Sequence, residues 1–600
     1  MGKRVFFGDI ETRSADDMWD FGPRQMFRLG QYAWGWDGDI ILTEDYDEYM
    51  RQLTQADIVV FHNGHAFDLS VLFGKDSITP LLMALDGKII DTMVHAAVVM
   101  PAPSFYVNRA GTKVTDAASP ERAHQWLSLD NLCFQLGLPG KFGDLKAMAK
   151  HFGGFEKIPL DDPDFRAYAI EDIVALRALT RRLFELAPFD DYAWREQIDA
   201  AINAQNSRNG VLVDVEQAHR RNAELAVVRK KNLDMLVDKY DFPTIGKAPW
   251  KSNLGKAAIT AALADFGVSL DDLPRTKDTK TKKPTIRPSF GGKGIVEACE
   301  DKSIEAQEFA QALAELLGLR TLSQLALDCM RSDGRVHPSI TAFQRSARKS
   351  TTKPGMTVIT SHGPGAVEKK TYCAKPGYKI VEFDYQAADT RGVAGYSGDT
   401  EFLKLTDKDA DPHEITARLI FGDSVYDRSL HRQRAKPVTH ASAYNAGAET
   451  LARTAKLPVA DMETFLRNRK RKYPKLYRWN ERVIEEGRRG FITTAWGRKL
   501  KVDPRKSFTQ SPAQYGQNCT REIVTDALIR MARKDVRLIQ WLIIQVHDAL
   551  AFEIPEEHLV WAVPMIKDCM ETWFDPPGGQ RVHFPVEHGK PSDNWYDAGH

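Results

Sequence analysis

The sequence has few cysteines, no long apolar run and almost no net charge, and each scarcity excludes something. The six cysteines, Cys133, Cys299, Cys329, Cys373, Cys519 and Cys569, are scattered without C-x-x-C spacing. That argues against a zinc site or a disulfide framework and fits a reducing compartment. No apolar stretch approaches bilayer-spanning length. The start, M-G-K-R-V-F-F-G-D-I-E, runs straight into a strand pattern and lacks the layout of a signal peptide. A cytoplasmic protein with no membrane partner is expected. The net charge of +1 neither demands nor excludes nucleic acid, because basic grooves and acidic sites can be segregated on one chain. Internal repeats are absent.

What is present is length and order. Six hundred residues exceed what one core serves, so several domains are expected. The apolar fraction of 43% and the charged fraction of 27% are those of a globular protein. Residues 1–190 alternate apolar strands with helical stretches, as an α/β domain does. From 192 to 330 the pattern turns helical and charged, as in W-R-E-Q-I-D-A-A-I-N-A-Q. Within that block P-R-T-K-D-T-K-T-K-K-P-T-I-R-P clusters Lys277, Lys280, Lys282, Lys283 and Arg287 with almost no apolar residue, so a loop is expected. It reads equally as a solvated surface and as a sequence-independent phosphate contact.

Two carboxylates carry the strongest chemical signal. Asp384, in V-E-F-D-Y-Q-A-A-D-T-R, and Asp548, in I-I-Q-V-H-D-A-L, each follow a run of β-prone residues, so each is placed at a strand end. They bracket a mostly helical insertion from 400 to 490. Inside it Arg432, Lys436, His440 and Tyr444 recur every four residues, which on a helix is one face able to grip a polyphosphate. Two acids for two divalent cations, with cations for a triphosphate, is what nucleotidyl transfer needs.

A second acidic set opens the chain. Asp9 and Glu11, two apart on the strand V-F-F-G-D-I-E-T, point to one face. I-V-V-F-H-N-G-H-A-F-D brings Asn63 and then Asp68 after another strand, and Y-A-I-E-D places Tyr168 one helical turn before Asp172. Four acids on two cations would activate a water against a phosphodiester, with the tyrosine hydroxyl holding that water. Each piece alone reads as readily as a solvated loop or an ordinary helix pair; the order of all three is the signal. Asp91, in K-I-I-D-T-M-V-H, reads as a cap or as the edge of this site.

The first set of motifs resembles the DnaQ-like 3′–5′ exonucleases of the tyrosine subtype. The whole order resembles the family A, DNA polymerase I-like DNA polymerases, most of all phage-encoded members, without a separate 5′-nuclease domain. The resemblance implies a multidomain α/β and α+β fold: a ribonuclease H-like exonuclease domain over 1–190, then a right-hand polymerase domain over 191–600. Its thumb would span about 200–330, its palm about 331–400 and 490–600, and its fingers about 401–489. It implies Mg²⁺, two ions per active site with Mn²⁺ as substitute, held by Asp384 and Asp548 in one site and by Asp9, Glu11, Asp68 and Asp172 in the other. Arg432, Lys436 and His413 would meet the triphosphate, and Lys436 would protonate the departing pyrophosphate. His440 and Asp389 would face the nucleotide sugar and Tyr444 the template–primer end. Arg348, Gln517 and His547 would contact primer or minor groove, with Lys282 and Lys283 on the DNA backbone. His413 also reads simply as a helix-start residue, and R-G-F-I-T-T-A-W-G-R-K-L as a plain strand pair.

The expected activity is templated DNA synthesis with proofreading by a monomer, on primer-template DNA with dNTPs, in phage genome replication in a host cytoplasm. The alternative is a 3′–5′ exonuclease whose polymerase half mainly binds DNA. The sequence departs from the family pattern near the sugar. Asp389 stands for the usual Glu, Ala549 for the Glu after the second palm Asp, His440 for an aromatic residue and Asn445 for Gly. A sugar gate that is looser or differently braced is expected. Pro437 removes a backbone donor at a cost of roughly 3 kcal/mol inside a helix, so a kink or an altered helix start is expected.

Overall fold

Strand β1 (Val5–Thr12) is covered on both faces, which is why its first half is apolar at successive positions. It pairs antiparallel with β2 (Phe27–Trp34), which pairs antiparallel with β3 (Ile40–Thr43). Its other edge runs parallel to β4 (Ile58–Phe61), and β4 parallel to β5 (Ile89–Asp91), giving the order β3-β2-β1-β4-β5. Phe6 packs on Tyr32 and Tyr49. Phe7, on the opposite face, joins Ile173 and Leu176. A side chain at Gly8 would collide with the Tyr49 hydroxyl and Phe6, so glycine leaves room for that hydroxyl to donate to the Asp9 carbonyl at 3.2 Å. The computed structural model describes residues 3–599 except 116, 118, 141–142, 247, 278–283, 319–321, 361–363, 424–426 and 444.

Around this sheet lie α1 (Asp68–Phe73), α2 (Thr92–Val99), the hairpin β6 (Phe105–Val107) and β7 (Lys113–Thr115), and α3 (Pro163–Leu186). Helix α4 (Asp191–Asn209) follows, and most of it is buried although it is rich in charges and amides. Its polar groups survive burial because they are paired, as a buried polar group must be. Glu196 takes Arg521 and Arg498, Asp199 takes Lys349 and Arg521, and Arg195 takes Glu522 and Asp526.

Residues Met1–Leu212 and Met330–His600 form one compact unit, and Val213–Cys329 a second. The second unit has its own core around Leu236, Trp250, Phe309 and Leu313. Here the basic segment departs from the expected loop: its flanks form the antiparallel pair β8 (Arg275–Lys277) and β9 (Pro284–Pro288). The Thr276 hydroxyl donates to the Arg287 carbonyl at 3.1 Å, tying the flanks together, and β-branched residues suit a pleated strand. Lys282 and Lys283 lie outside the described residues.

In the first unit, β10 (Tyr378–Tyr385) is followed by α5 (Ala388–Ser397), α6 (Pro412–Phe421), α7 (Arg428–Ala443) and the long α8 (Ser507–Lys534). The chain returns through the hairpin β11 (Leu542–Val546) and β12 (Ala549–Pro555), then β13 (Val586–His588). These make an antiparallel sheet in the order β11-β12-β10-β13. Val381, Phe383 and Tyr385 turn one face of β10 into the core, so Glu382 and Asp384 share the other. Phe491–Thr493 and Lys499–Lys501 form the strand pair expected of R-G-F-I-T-T-A-W-G-R-K-L. Helix α7 continues through Pro437, so of the two outcomes expected for that proline an altered helix start does not occur. Among the described residues no helix is long and apolar enough to cross a membrane.

Candidate active sites

The face of β1 that buries Phe7 also carries Asp9 and Glu11, at the period of two. Helix α3 packs on that face through Ile173 and Leu176, which delivers the neighbouring Asp172 to the same place. Asp9, Glu11 and Asp172 each offer an oxygen within 4.8 Å of the others, a spacing that suits a metal ion. Asp68 joins them as the buried first residue of α1, accepting the Ile10 N–H at 3.2 Å. Burial, and then the charge of Asp9, push its carboxyl well above the ordinary range. A cation among these acids would relieve that repulsion.

Gln31 also belongs to the cluster, and the sequence reading missed it. It stands opposite Asp9 on β2, and its Nε2 donates to Asp9 Oδ2 at 2.6 Å and to Glu11 Oε1 at 3.4 Å. The available signal was an amide inside the apolar run L-G-Q-Y-A-W. Asp91 is the cap of α2, accepting from Met93 and Val94 N–H, and it also accepts the Asn63 and His65 N–H groups at 2.9 and 3.2 Å. It thereby fixes the turn before Asp68, where Asn63 has φ +65°. Gln197 of α4 holds Asp91 in turn, accepting its N–H at 2.9 Å and donating to its carbonyl at 3.2 Å. Tyr168 and Glu11 line a cleft of about 1000 Å³, with Arg13, Arg109 and Lys146 along its walls.

The second site lies at the end of β10. Asp384 pairs with Ala549 of β12 on one side and Glu587 of β13 on the other. His547 and Asp548 fill the two-residue turn between β11 and β12, and His547 takes the positive φ, +56°, that such a turn requires. The turn sets Asp548 beside Asp384. Burial, then Asp548 and Glu382, push the Asp384 carboxyl up to about 7; burial, then Asp389, push Asp548 up to about 6. Asp384 Oδ1 is buried without a hydrogen-bond donor among the described residues. Two crowded, under-solvated carboxylates are the donor set a divalent ion fits. Glu382 is paired with Lys369 at 3.2 Å and accepts the Trp595 indole N–H.

Asp389, on α5, is held twice: Arg348 Nη2 reaches both its oxygens and the Thr520 hydroxyl donates to Oδ1 at 2.6 Å. The shorter acid is therefore held from two sides. Thr520 was not singled out from the sequence; Gln517, three positions earlier on α8, is half-buried. His547 is pushed below its usual value by burial and then by Arg348. On the insertion, Arg432 Nε donates to Asp411 Oδ2 at 2.5 Å, and Asp411 also caps α6 by accepting the His413 N–H. His413 is thus a helix-start residue beside Arg432's partner. Lys436 lies one turn beyond Arg432 and is exposed. The His440 side chain and Tyr444 lie outside the described residues.

Known proteins resemble this chain in sequence and in fold. The DNA polymerase of Mycobacterium phage D29 is 25% identical over 570 residues, covering 92% of this chain and 87% of that one. The DNA polymerase of Mycobacterium phage L5 is 25% identical, with 95% and 90% covered. A thermostable DNA polymerase I of Thermus filiformis is 28% identical over 329 residues, 51% of this chain and 38% of that one. A solved structure, the POL domain of Pol1 from M. smegmatis in complex with DNA primer-template and dNTP, superposes with a TM-score of 0.72 at 17% identity, over 100% of this chain and 96% of that one. At that identity the likeness establishes the fold. The family model for DNA polymerase family A matches residues 276–597. That span is more than half of the chain and holds Asp384, Asp548 and the Arg432–Lys436 helix, so the chain belongs to DNA polymerase family A.

Proposed function

We propose that this chain is a DNA-templated DNA polymerase that extends a primer 3′ end with dNTPs, and that it carries its own 3′–5′ proofreading exonuclease. The observation that carries the reading is the presence of two separate carboxylate clusters in one compact unit: Asp384 with Asp548, and Asp9, Glu11 and Asp172 with Asp68. The division into an exonuclease domain (1–190, ribonuclease H-like) and a polymerase domain (191–600, with thumb, palm and fingers) belongs to this proposal. So does service in phage genome replication, favoured by the mycobacteriophage relatives.

Asp384 and Asp548 are the residues that would hold magnesium for synthesis, and Asp9, Glu11, Asp68 and Asp172 those that would hold it for excision. The bound ions would acidify the attacking hydroxyl or water and neutralise the leaving group. The protein's own groups do the rest. Arg432 exchanges Asp411 for the incoming triphosphate, and Lys436, one turn on, offsets its charge and gives a proton to the departing pyrophosphate. Asp389, fixed by Arg348 and Thr520, stands beside the sugar. In the other cluster the Tyr168 hydroxyl orients the attacking water.

The test is primer extension and primer degradation in Mg²⁺ with wild type, Asp384→Ala and Asp9→Ala. Extension lost only in Asp384→Ala, with degradation lost only in Asp9→Ala, is the expected result. Degradation without any templated extension by wild type would instead support an exonuclease whose second half only binds DNA.

A further inference from the structure

The hairpin of β6 and β7 stands at the rim of the exonuclease cleft, and its outer face has no assigned role. Its register is Phe105 with Thr115, Tyr106 with Val114 and Val107 with Lys113. Alternation sends Tyr106 inward onto Trp126, at 5.1 Å between ring centroids. Phe105 and Val107 face out, at 53% and 47% exposure. That is a high exposure for two neighbouring apolar side chains on so short a strand, and a core role does not account for it. Lys113 sits over the Phe105 ring at 4.1 Å, adding a cation to the aromatic surface.

The hairpin is anchored to the cleft. Its turn residue Arg109 lines the cleft together with Asp130, to which Arg109 Nη1 donates at 2.7 Å. Gln135 Nε2 donates to the Val107 carbonyl at 2.7 Å, and Arg122 donates to the Thr115 carbonyl at the other end of the pair. An exposed aromatic ring with a lysine over it, on a hairpin whose turn arginine lines a cleft that also holds Glu11, matches the way proteins hold single-stranded nucleic acid. Bases stack on the ring and the cations follow the phosphates.

We propose that Phe105, with Val107, Lys113 and Arg109, forms a stacking platform for the single-stranded 3′ segment of the DNA as it enters the exonuclease cleft. The occupant is single-stranded DNA rather than duplex, because a stacked base must present an open face. The proposal rests on the exonuclease reading given above.

Two measurements on the full-length chain separate the proposal from that reading. In the first, Phe105→Ala raises the KM for degrading a single-stranded oligonucleotide about tenfold with kcat within twofold, while Phe105→Trp, which keeps a ring, retains the wild-type KM. Extension of a matched primer serves as the control for folding. In the second, 2-aminopurine-labelled single-stranded DNA is titrated into Asp9→Ala, with and without Phe105→Ala, without turnover. Weaker binding and lost fluorescence quenching in the double variant support the platform even if wild type degrades nothing. A KM and an affinity within twofold of the parent in Phe105→Ala overturn it, and so does a Phe105→Trp defect as large as that of alanine.

Discussion

Arg348 holds Asp389 through a single nitrogen: its Nη2 donates to both carboxylate oxygens, at 2.6 and 2.7 Å. The acid one methylene shorter than the family's usual residue is thus drawn toward Arg348, and Thr520 closes on it from α8 at 2.6 Å. Hydrogen bonds to a charged acceptor contribute about 1.5–3 kcal/mol. Thr520→Val is therefore expected to lower the ratio of kcat/KM for dNTP over rNTP about tenfold, with Thr520→Ser near wild type. A ratio within twofold of wild type in Thr520→Val would show that this brace does not set sugar choice.

Gln31 offers a parallel case at the other site. Its amide spans Asp9 and Glu11 from β2, and groups that orient metal-binding carboxylates typically change activity about 10–100-fold when removed. Gln31→Leu, similar in size but without donors, should reduce 3′–5′ degradation in that range while matched-primer extension stays unchanged. An unaltered degradation rate would reduce Gln31 to a packing residue.

These two residues mark where the sequence stops being legible. Asp9 with Glu11, Tyr168 with Asp172, and Arg432 with Lys436 could be read because each pair obeys a local period, two on a strand or four on a helix. Asp384 and Asp548 could be read because each follows a β-prone run. Gln31, Thr520 and Glu587 reach their sites through strand register or helix packing, and neither is encoded locally. Helix α4 misleads for a different reason: a string of Glu, Asp, Gln and Asn suggests solvent, yet Arg195, Glu196 and Asp199 each find a charged partner far along the chain. The basic stretch between Arg275 and Pro288 misleads in the opposite sense, since Thr and Ile at its flanks support strands despite the lysines.

Removing divalent ions should leave a measurable strain at Asp384 and Asp548. Asp384 is held up to about 7 and Asp548 up to about 6, both above an unfolded carboxylate near 3.9. For groups raised on folding, their contribution to stability is fully present below the unfolded value and is lost as pH rises through the folded values. In chelator, wild type should therefore lose stability between pH 4 and about 7, and Asp384→Asn should lose less. At pH 8 the variant should melt about 2 °C or more above metal-free wild type. Mg²⁺ should raise the wild-type Tm more than that of the variant. Equal melting at pH 8 without metal would show that the two carboxylates are not in conflict.

The acid limb should be governed elsewhere, by Arg521. This buried guanidinium reaches Glu196 at 2.5 Å, Asp199 at 3.0 Å and Glu522 at 3.1 Å, joining α8 to α4. Burial alone would push Glu522 up, but Arg521, Arg195 and Arg498 together draw it down to about 2. A carboxylate lowered on folding contributes stability that is present above its unfolded value and is lost as pH falls through the folded one. The wild type should accordingly weaken between about pH 4.5 and 2. Arg521→Ala leaves Glu196, Asp199 and Glu522 in a dry interior with one cation fewer, Arg498, Lys349 and Arg195 remaining, and should cost about 3 kcal/mol. With the guanidinium gone the Glu522 carboxyl rises, and the midpoint of acid unfolding should move upward by about one pH unit or more. Because α4 also carries Gln197 to Asp91, near-UV circular dichroism, extension and degradation should fail together along a pH titration of that variant. Loss of one activity well before the other would show that α4 does not tie the two sites into one cooperative structure.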